Sequence, residues 1–200
     1  MRSIALATIL LLGAAAAAMG QSFPNASTTS GDVALTYNWE RTNAQPGDCG
    51  CIGLNGGGIS GSWNVRPRLA AVAEISGEHA GNVSPTGDSL TLTSYLAGAR
   101  YRVPQPWQRG PHAPQPFVQL LLGAGHAGGG IAGAGDGTFA FVTRMGGGID
   151  VPVRPHFAVR IIQIDYDLTT YQNSVNDHQN DLVLGAGVVF RWSHGRMSQP

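Results

Sequence analysis

The last strand-length stretch of the chain, Leu182 to Trp192, alternates without a slip. Leu182, Leu184, Ala186, Val188, Phe190 and Trp192 fall on one parity; Asp181, Val183, Gly185, Gly187, Val189 and Arg191 fall on the other. A β-strand has a side-chain period of two, so this segment carries one greasy face that closes on aromatics and one face of small or charged residues. A strand of a soluble sandwich shows the same pattern. What narrows the choice is that seven further segments repeat it, behind an export signal.

The signal is Met1–Gly20. Arg2 supplies a positive start, Ile4 to Met19 is an almost unbroken apolar run, and Ala18-Met19-Gly20 offers small residues where a signal peptidase reads, leaving Gln21 as the mature start. At about sixteen residues the run is short of the ~20 a spanning helix needs, so a retained anchor is the lesser alternative. No cysteine stands near the cut, so lipid attachment there is not expected. Residues 21–200 are then enough for one domain.

The other seven segments divide the same way. Asp32 to Arg41 sets Val33, Leu35, Tyr37 and Trp39 against Ala34, Thr36, Asn38 and Glu40. Leu54 to Val65 is broken by glycine but keeps Ile59, Trp63 and Val65 on one parity. Leu69 to Glu78 sets Ala71, Ala73 and Ile75 against Val72, Glu74 and Ser76. Leu90 to Val103 sets Tyr95, Ala97, Ala99 and Tyr101 against Ser94, Leu96, Gly98 and Arg100. Phe117 to Gly125 sets Val118, Leu120, Leu122 and Ala124 against Gln119, Leu121 and Gly123. Thr138 to Val151 sets Phe139, Phe141, Met145, Ile149 and Val151 against Arg144, Gly146, Gly148 and Asp150. His156 to Thr169 changes phase at Ile161-Ile162; one bulge there returns Arg160, Gln163, Asp165 and Asp167 to a common side.

Two features favour a membrane barrel over a sandwich. A sandwich turns its polar face to water, with Lys, Thr, Ser and Glu. Here the second face carries mainly Gly, Ala and isolated charges, the chain has no lysine, and charged residues are 12% of it, against ~25% in soluble domains. Glu74, Arg100, Arg144, Asp150, Arg160, Asp165 and Arg191 are expected to meet inside a narrow barrel, where opposite charges must pair. The second feature is link length. Val65-Arg-Pro-Arg-Leu69 and Val153-Arg-Pro-His-Phe157 are tight near-copies, and Pro104 to Pro116 is a stiff, Pro-rich turn. The links Thr42–Gly53, His79–Ser89, His126–Gly137 and Thr170–Asn180 are longer and looser. Short turns at one end and long loops at the other is the outer-membrane arrangement, with both termini periplasmic.

The expected fold is therefore all-β, an eight-stranded antiparallel up-and-down transmembrane barrel. Hydrocarbon tolerates a sheet only when no edge is left unpaired. At eight strands the interior is about wide enough for side chains to fill it, which argues against an open pore. Tyr37, Trp39, Trp63, Tyr101, Phe190 and Trp192 are expected as aromatic girdles at the two lipid–water boundaries.

The segments Met145-Gly-Gly-Gly-Ile-Asp-Val151, His156-Phe-Ala-Val-Arg160, Gln163-Ile-Asp-Tyr166 and Gln179 to Trp192 resemble the outer-membrane protein beta-barrel domain family, the small OmpA- and OmpX-like eight-stranded barrels of Gram-negative bacteria. The resemblance spans nearly the whole mature chain and is strongest over 117–192. It implies residence among outer-membrane lipids and insertion by the assembly machinery, guided by an aromatic last strand. The chain departs from the family in two places. Ser193 to Pro200 follow the last aromatic, and no peptidoglycan-binding domain follows the barrel, so a cell-wall tether is not expected.

The chemistry-bearing residues are sparse. Cys49 and Cys51 sit in the first long loop, where a disulfide, free or intermolecular thiols, or a metal or redox role all stay open; the one-residue spacer would strain a disulfide. Histidines 79, 112, 126, 156, 178 and 194 show no metal-ligand spacing. Ser76, Glu78 and His79 raise the thought of a lipid-modifying barrel enzyme, but the His-x-Ser-Asn type signature of such enzymes is missing. The glycine runs at 56–58 and 128–130 lack the lysine and helix of a phosphate loop. Twelve acidic residues balance twelve basic ones, which leaves no basic stripe for nucleic acid. The expectation is a non-enzymatic barrel without cofactor or metal, with a structural or surface-interaction role and at most a narrow channel. A lipid-modifying enzyme and a soluble periplasmic lipocalin-like carrier are the alternatives.

Overall fold

The computed structural model describes residues 30–42, 52–81, 83, 87–104, 112–129, 138–171 and 178–193. The export segment 1–20, Cys49, Cys51 and His194 lie outside them. Eight strands follow one another: β1 (Ser30–Thr42), β2 (Ile52–Arg66), β3 (Leu69–Ala80), β4 (Leu90–Arg102), β5 (Gln115–Gly129), β6 (Thr138–Arg154), β7 (Phe157–Thr169) and β8 (Gln179–Ser193). Each pairs antiparallel with the next, and β8 returns to β1, closing the sheet. Among the described residues no helix is long and apolar enough to cross a membrane.

Alternation decides which face each side chain takes, and the result is inverted relative to a water-soluble protein. Leu35, Ile75, Val118, Leu120, Phe139, Phe141, Ile164 and Phe190 lie on the outside, while Arg100, Arg144 and Arg160 keep 1%, 1% and 0% of their surface. Buried charge and exposed large apolar groups are the two observations that carry information about a solvent. Together they identify the outer wall as the face that meets hydrocarbon.

Closure leaves no ladder edge, so the backbone polar groups along the wall are paired strand to strand. The register slips at four points. Between Arg160 and Gln163 the extra residue puts both Ile161 and Ile162 on the outer wall and returns Gln163, Asp165 and Asp167 to the inside. The same extra residue of β7 shifts the pairing with β6 between Ile149 and Asp150. The other two precede the tight turns Pro67-Arg68 and Pro155-His156, where Val65 and Val153 bulge outward.

Strands run beyond the alternating cores read from sequence. β5 continues to Gly129 and β6 to Arg154. The inner face is also greasier than its glycine and alanine content implies. Val72, Leu96, Leu121 and Val142 form one buried cluster at mid-height; Ala34, Ala158 and Val189 form a second near the turn end. A third, of Leu54, Leu90, Leu92 and Ala127, sits near the loop end, with Val83 and Tyr171 packed on it.

Candidate functional site

The interior holds the polar chemistry of the described residues, and it has two unlike halves. At the turn end the Phe117 ring lies between two guanidiniums: Arg100 and Arg160 each place Cζ 4.5 Å from its centroid. A ring face is negative, so it separates two cations that would otherwise repel while gaining attraction from both. Arg100 donates from Nε and Nη2 to Gln119 Oε1 at 3.1 and 2.9 Å. Its Nη1 stands 3.6 Å from Asp32 Oδ1, an ion pair too long to be a hydrogen bond. Arg160 donates from Nε to Asp150 Oδ1 at 2.8 Å and from Nη1 to Gln163 Oε1 at 2.7 Å. Arg102 reaches Asp32, and Arg191 stands 3.7 Å from Asp150.

Two glutamines carry this layer to the next. Gln119 Nε2 donates to Asp165 Oδ1 at 3.1 Å, and Gln163 Nε2 donates to Asp165 Oδ2. Asp165 is thus held by neutral donors on both oxygens. Gly146 faces it across the sheet, where any Cβ would collide with the Asp165 carboxylate and the Ile164 carbonyl.

Above this, Arg144 bridges two carboxylates. Its Nε donates to Asp167 Oδ1 at 2.8 Å and its Nη2 to Asp167 Oδ2 at 2.6 Å, a bidentate fork, while Nη1 holds Glu74. Glu78 accepts from Asn38 Nδ2 at 3.0 Å and Ser76 Oγ at 3.3 Å. Glu40 and Asp181 are buried beside them.

All seven charges expected inside (Glu74, Arg100, Arg144, Asp150, Arg160, Asp165 and Arg191) are placed there; Arg191 is half-buried and the rest are buried. The structure adds Asp32, Glu40, Glu78, Asp167, Asp181, Gln119, Gln163 and Phe117, all buried. The inward parity was the available signal for the added charges; nothing in the pattern marks one inward Phe as a cation's partner.

Of the six girdle aromatics, Tyr37, Trp63, Tyr101 and Phe190 are exposed on the outer wall, and Trp39 and Trp192 are half-buried on it. Trp63, Tyr101, Phe190 and Trp192 lie toward the turn end. Trp192 lies across Gly31 of the neighbouring strand, where a Cβ would meet its ring. Tyr37 sits deeper in its strand than Trp39, and its hydroxyl donates to Asn55 Oδ1 at 2.7 Å. Tyr166 does the same to Asn180 Oδ1 at 2.7 Å.

The Ser76, Glu78 and His79 trio does not converge. Ser76 and Glu78 point into the interior, whereas His79 is on the outer wall with Nδ1 2.8 Å from Thr91 Oγ1. Among the described residues no three acidic, His or Cys side chains gather as metal ligands.

Comparison with known proteins gives a consistent picture. The chain matches the family described as "Outer membrane protein beta-barrel domain" over residues 4–190. Among solved structures, Neisserial surface protein A superposes with TM-score 0.60 at 16% identity, covering 81% of this chain and 97% of that one. The attachment invasion locus protein Ail of Yersinia pestis superposes with TM-score 0.52 at 14% identity, covering 82% and 100%. The same Ail in complex with the heparin analogue sucrose octasulfate gives 0.51 at 14%, with the same coverage. At such identities the likeness is one of fold. No protein of curated function matches the sequence.

Proposed function

The chain belongs to the outer membrane protein beta-barrel domain family and resides in the outer membrane, and on that premise we propose that it is a closed, non-enzymatic body that displays its four long links outward. The observation that carries this reading is the layer of Arg100, Phe117 and Arg160, tied through Gln119, Gln163 and Asp165 across three strands, β4, β5 and β7. An eight-stranded interior is about wide enough for side chains to fill, and here they cross it. Breaking a buried ion pair leaves an uncompensated charge, so such a layer resists opening. Binding residues carried on loops and positioned by a rigid scaffold are a common division of labour in proteins.

The solved Ail structures support a display role by analogy, since that protein is described as an attachment protein and is seen with a sulfated sugar. The wall contacts lipid, and the Phe190 and Trp192 end of β8 is the segment we assign to the assembly machinery. No catalytic role is proposed, because the one Ser, Glu and His set is split between the two faces of β3. Planar-bilayer recording of the purified protein tests the reading. Closed bilayers with at most small, brief events are expected; a large steady conductance contradicts it.

A further inference from the structure

Charge is sorted along the barrel axis. By sequence, each of the four long links carries one acid (Asp48, Asp88, Asp136 and Asp177) and no base. Each of the three short turns carries at least one arginine (Arg66 and Arg68, Arg109, and Arg154) and no acid. The interior repeats the division. Toward the turn end Asp32 and Asp150 face Arg100, Arg102, Arg160 and Arg191, whereas toward the loop end six buried acids surround Arg144. A chain of zero net charge therefore presents a basic end, and that end attracts anions.

One place at that end is shaped as well as charged. A recess of about 310 Å³ opens between the β2–β3 turn and the start of β5. Arg68, Arg102 and Gln115 supply its polar side, Val103, Ala113 and Pro114 its apolar side, and no acid lines it. Two backbone bonds fix its walls: the Arg102 amide donates to the Arg68 carbonyl at 2.8 Å, and the Val103 amide to the Pro116 carbonyl at 2.9 Å. The Arg102 guanidinium is committed to Asp32 and, at 2.7 Å, to Asn64 Oδ1. The exposed Arg68 guanidinium makes no hydrogen bond or ion pair among the described residues. On the outer wall Tyr101 and Val118 are exposed cross-strand partners next to the recess, and Val103 continues their apolar surface into it.

We propose that this recess seats the headgroup of an anionic glycerophospholipid from the periplasmic leaflet, with its phosphate on Arg68 and its acyl chains along Tyr101 and Val118. Three observations favour a lipid over a soluble anion or an acidic macromolecule. The recess is continuous with the hydrocarbon-facing wall, and it has an apolar side. It also lies at the end of the wall that carries Trp63, Tyr101, Phe190 and Trp192, and such aromatics mark the headgroup boundary. Arginine at that boundary is drawn to anionic lipid. The inference rests on the function proposed above only for direction, the turns facing the periplasm.

The test titrates the folded full-length barrel in micelles with phosphatidylglycerol, phosphatidylcholine, glycerol phosphate or a soluble acidic peptide, and native mass spectrometry counts what is bound. The first phosphatidylglycerol binds roughly fivefold tighter than phosphatidylcholine, the size of one cation's contribution at an anionic leaflet. Arg68→Gln removes that preference and Arg68→Lys keeps most of it. Arg154→Gln, a turn arginine outside the lining, leaves it unchanged. Arg68 is exposed in a turn, so its variants fold, which the heat-dependent gel shift checks. Equal binding of the two lipids, an equal loss in Arg154→Gln and Arg68→Gln, or glycerol phosphate or the peptide binding as tightly as phosphatidylglycerol would each overturn the proposal. Conductance does not enter this readout, so a barrel that proves open can still select the lipid, and a closed one can fail to.

Discussion

The two halves of the interior solve the same problem with different means. The turn end surrounds two acids with four arginines and places an aromatic ring between two of them. The loop end gathers six acids about one arginine and covers them with the Leu54, Leu90 and Leu92 cluster. In the first half the charges share redundant partners. In the second, a single guanidinium holds two carboxylates, so removing it has no local substitute.

The largest effect is therefore expected from Arg144→Met. It leaves Glu74 and Asp167 buried without their shared cation, a loss of about 3–5 kcal/mol, read as a fall in the urea midpoint of the folded form. Outside the comparison, Leu120→Arg puts a cation in hydrocarbon near mid-wall and should cost about 2–4 kcal/mol in the same assay. Its neighbour Gln119, one residue away and inward, shows that parity alone separates the two environments. Phe117→Leu keeps an apolar side chain but removes the shared ring, and about 1–3 kcal/mol should be lost as Arg100 and Arg160 face each other unscreened. The smallest effect belongs to Arg191→Met, about 1 kcal/mol or less, since this half-buried group is one of several cations at its end. If Arg191→Met cost as much as Arg144→Met, the contrast between redundant and single partners would fail.

Much of the wall is legible in the chain because lipid imposes a strict rule: every second residue must be apolar while the strand is in hydrocarbon. All eight segments follow it at most outward positions, the second with glycine interruptions, and the phase change at Ile161-Ile162 even locates a bulge. The rule lapses where strands leave the membrane, which is why His126-Ala-Gly-Gly129 reads as loop although it is strand. Inside, no comparable rule acts. Leu121 and Arg144 share a face, as do Phe117 and Gln119, because packing in three dimensions chooses the partner. Glu40, Asp167 and Asp181 have inward parity, but the acid surplus at the loop end emerges only once closure brings β1, β7 and β8 together.

The barrel's two faces differ first in which of them meets lipid. In a background with Cys49→Ser and Cys51→Ser, single Leu120→Cys, Ile164→Cys and Val188→Cys variants would carry a nitroxide in proteoliposomes. Dissolved oxygen, which concentrates in hydrocarbon, is expected to relax each label far more than a water-soluble nickel chelate does. Labels reached freely by the chelate and shielded from oxygen would contradict it.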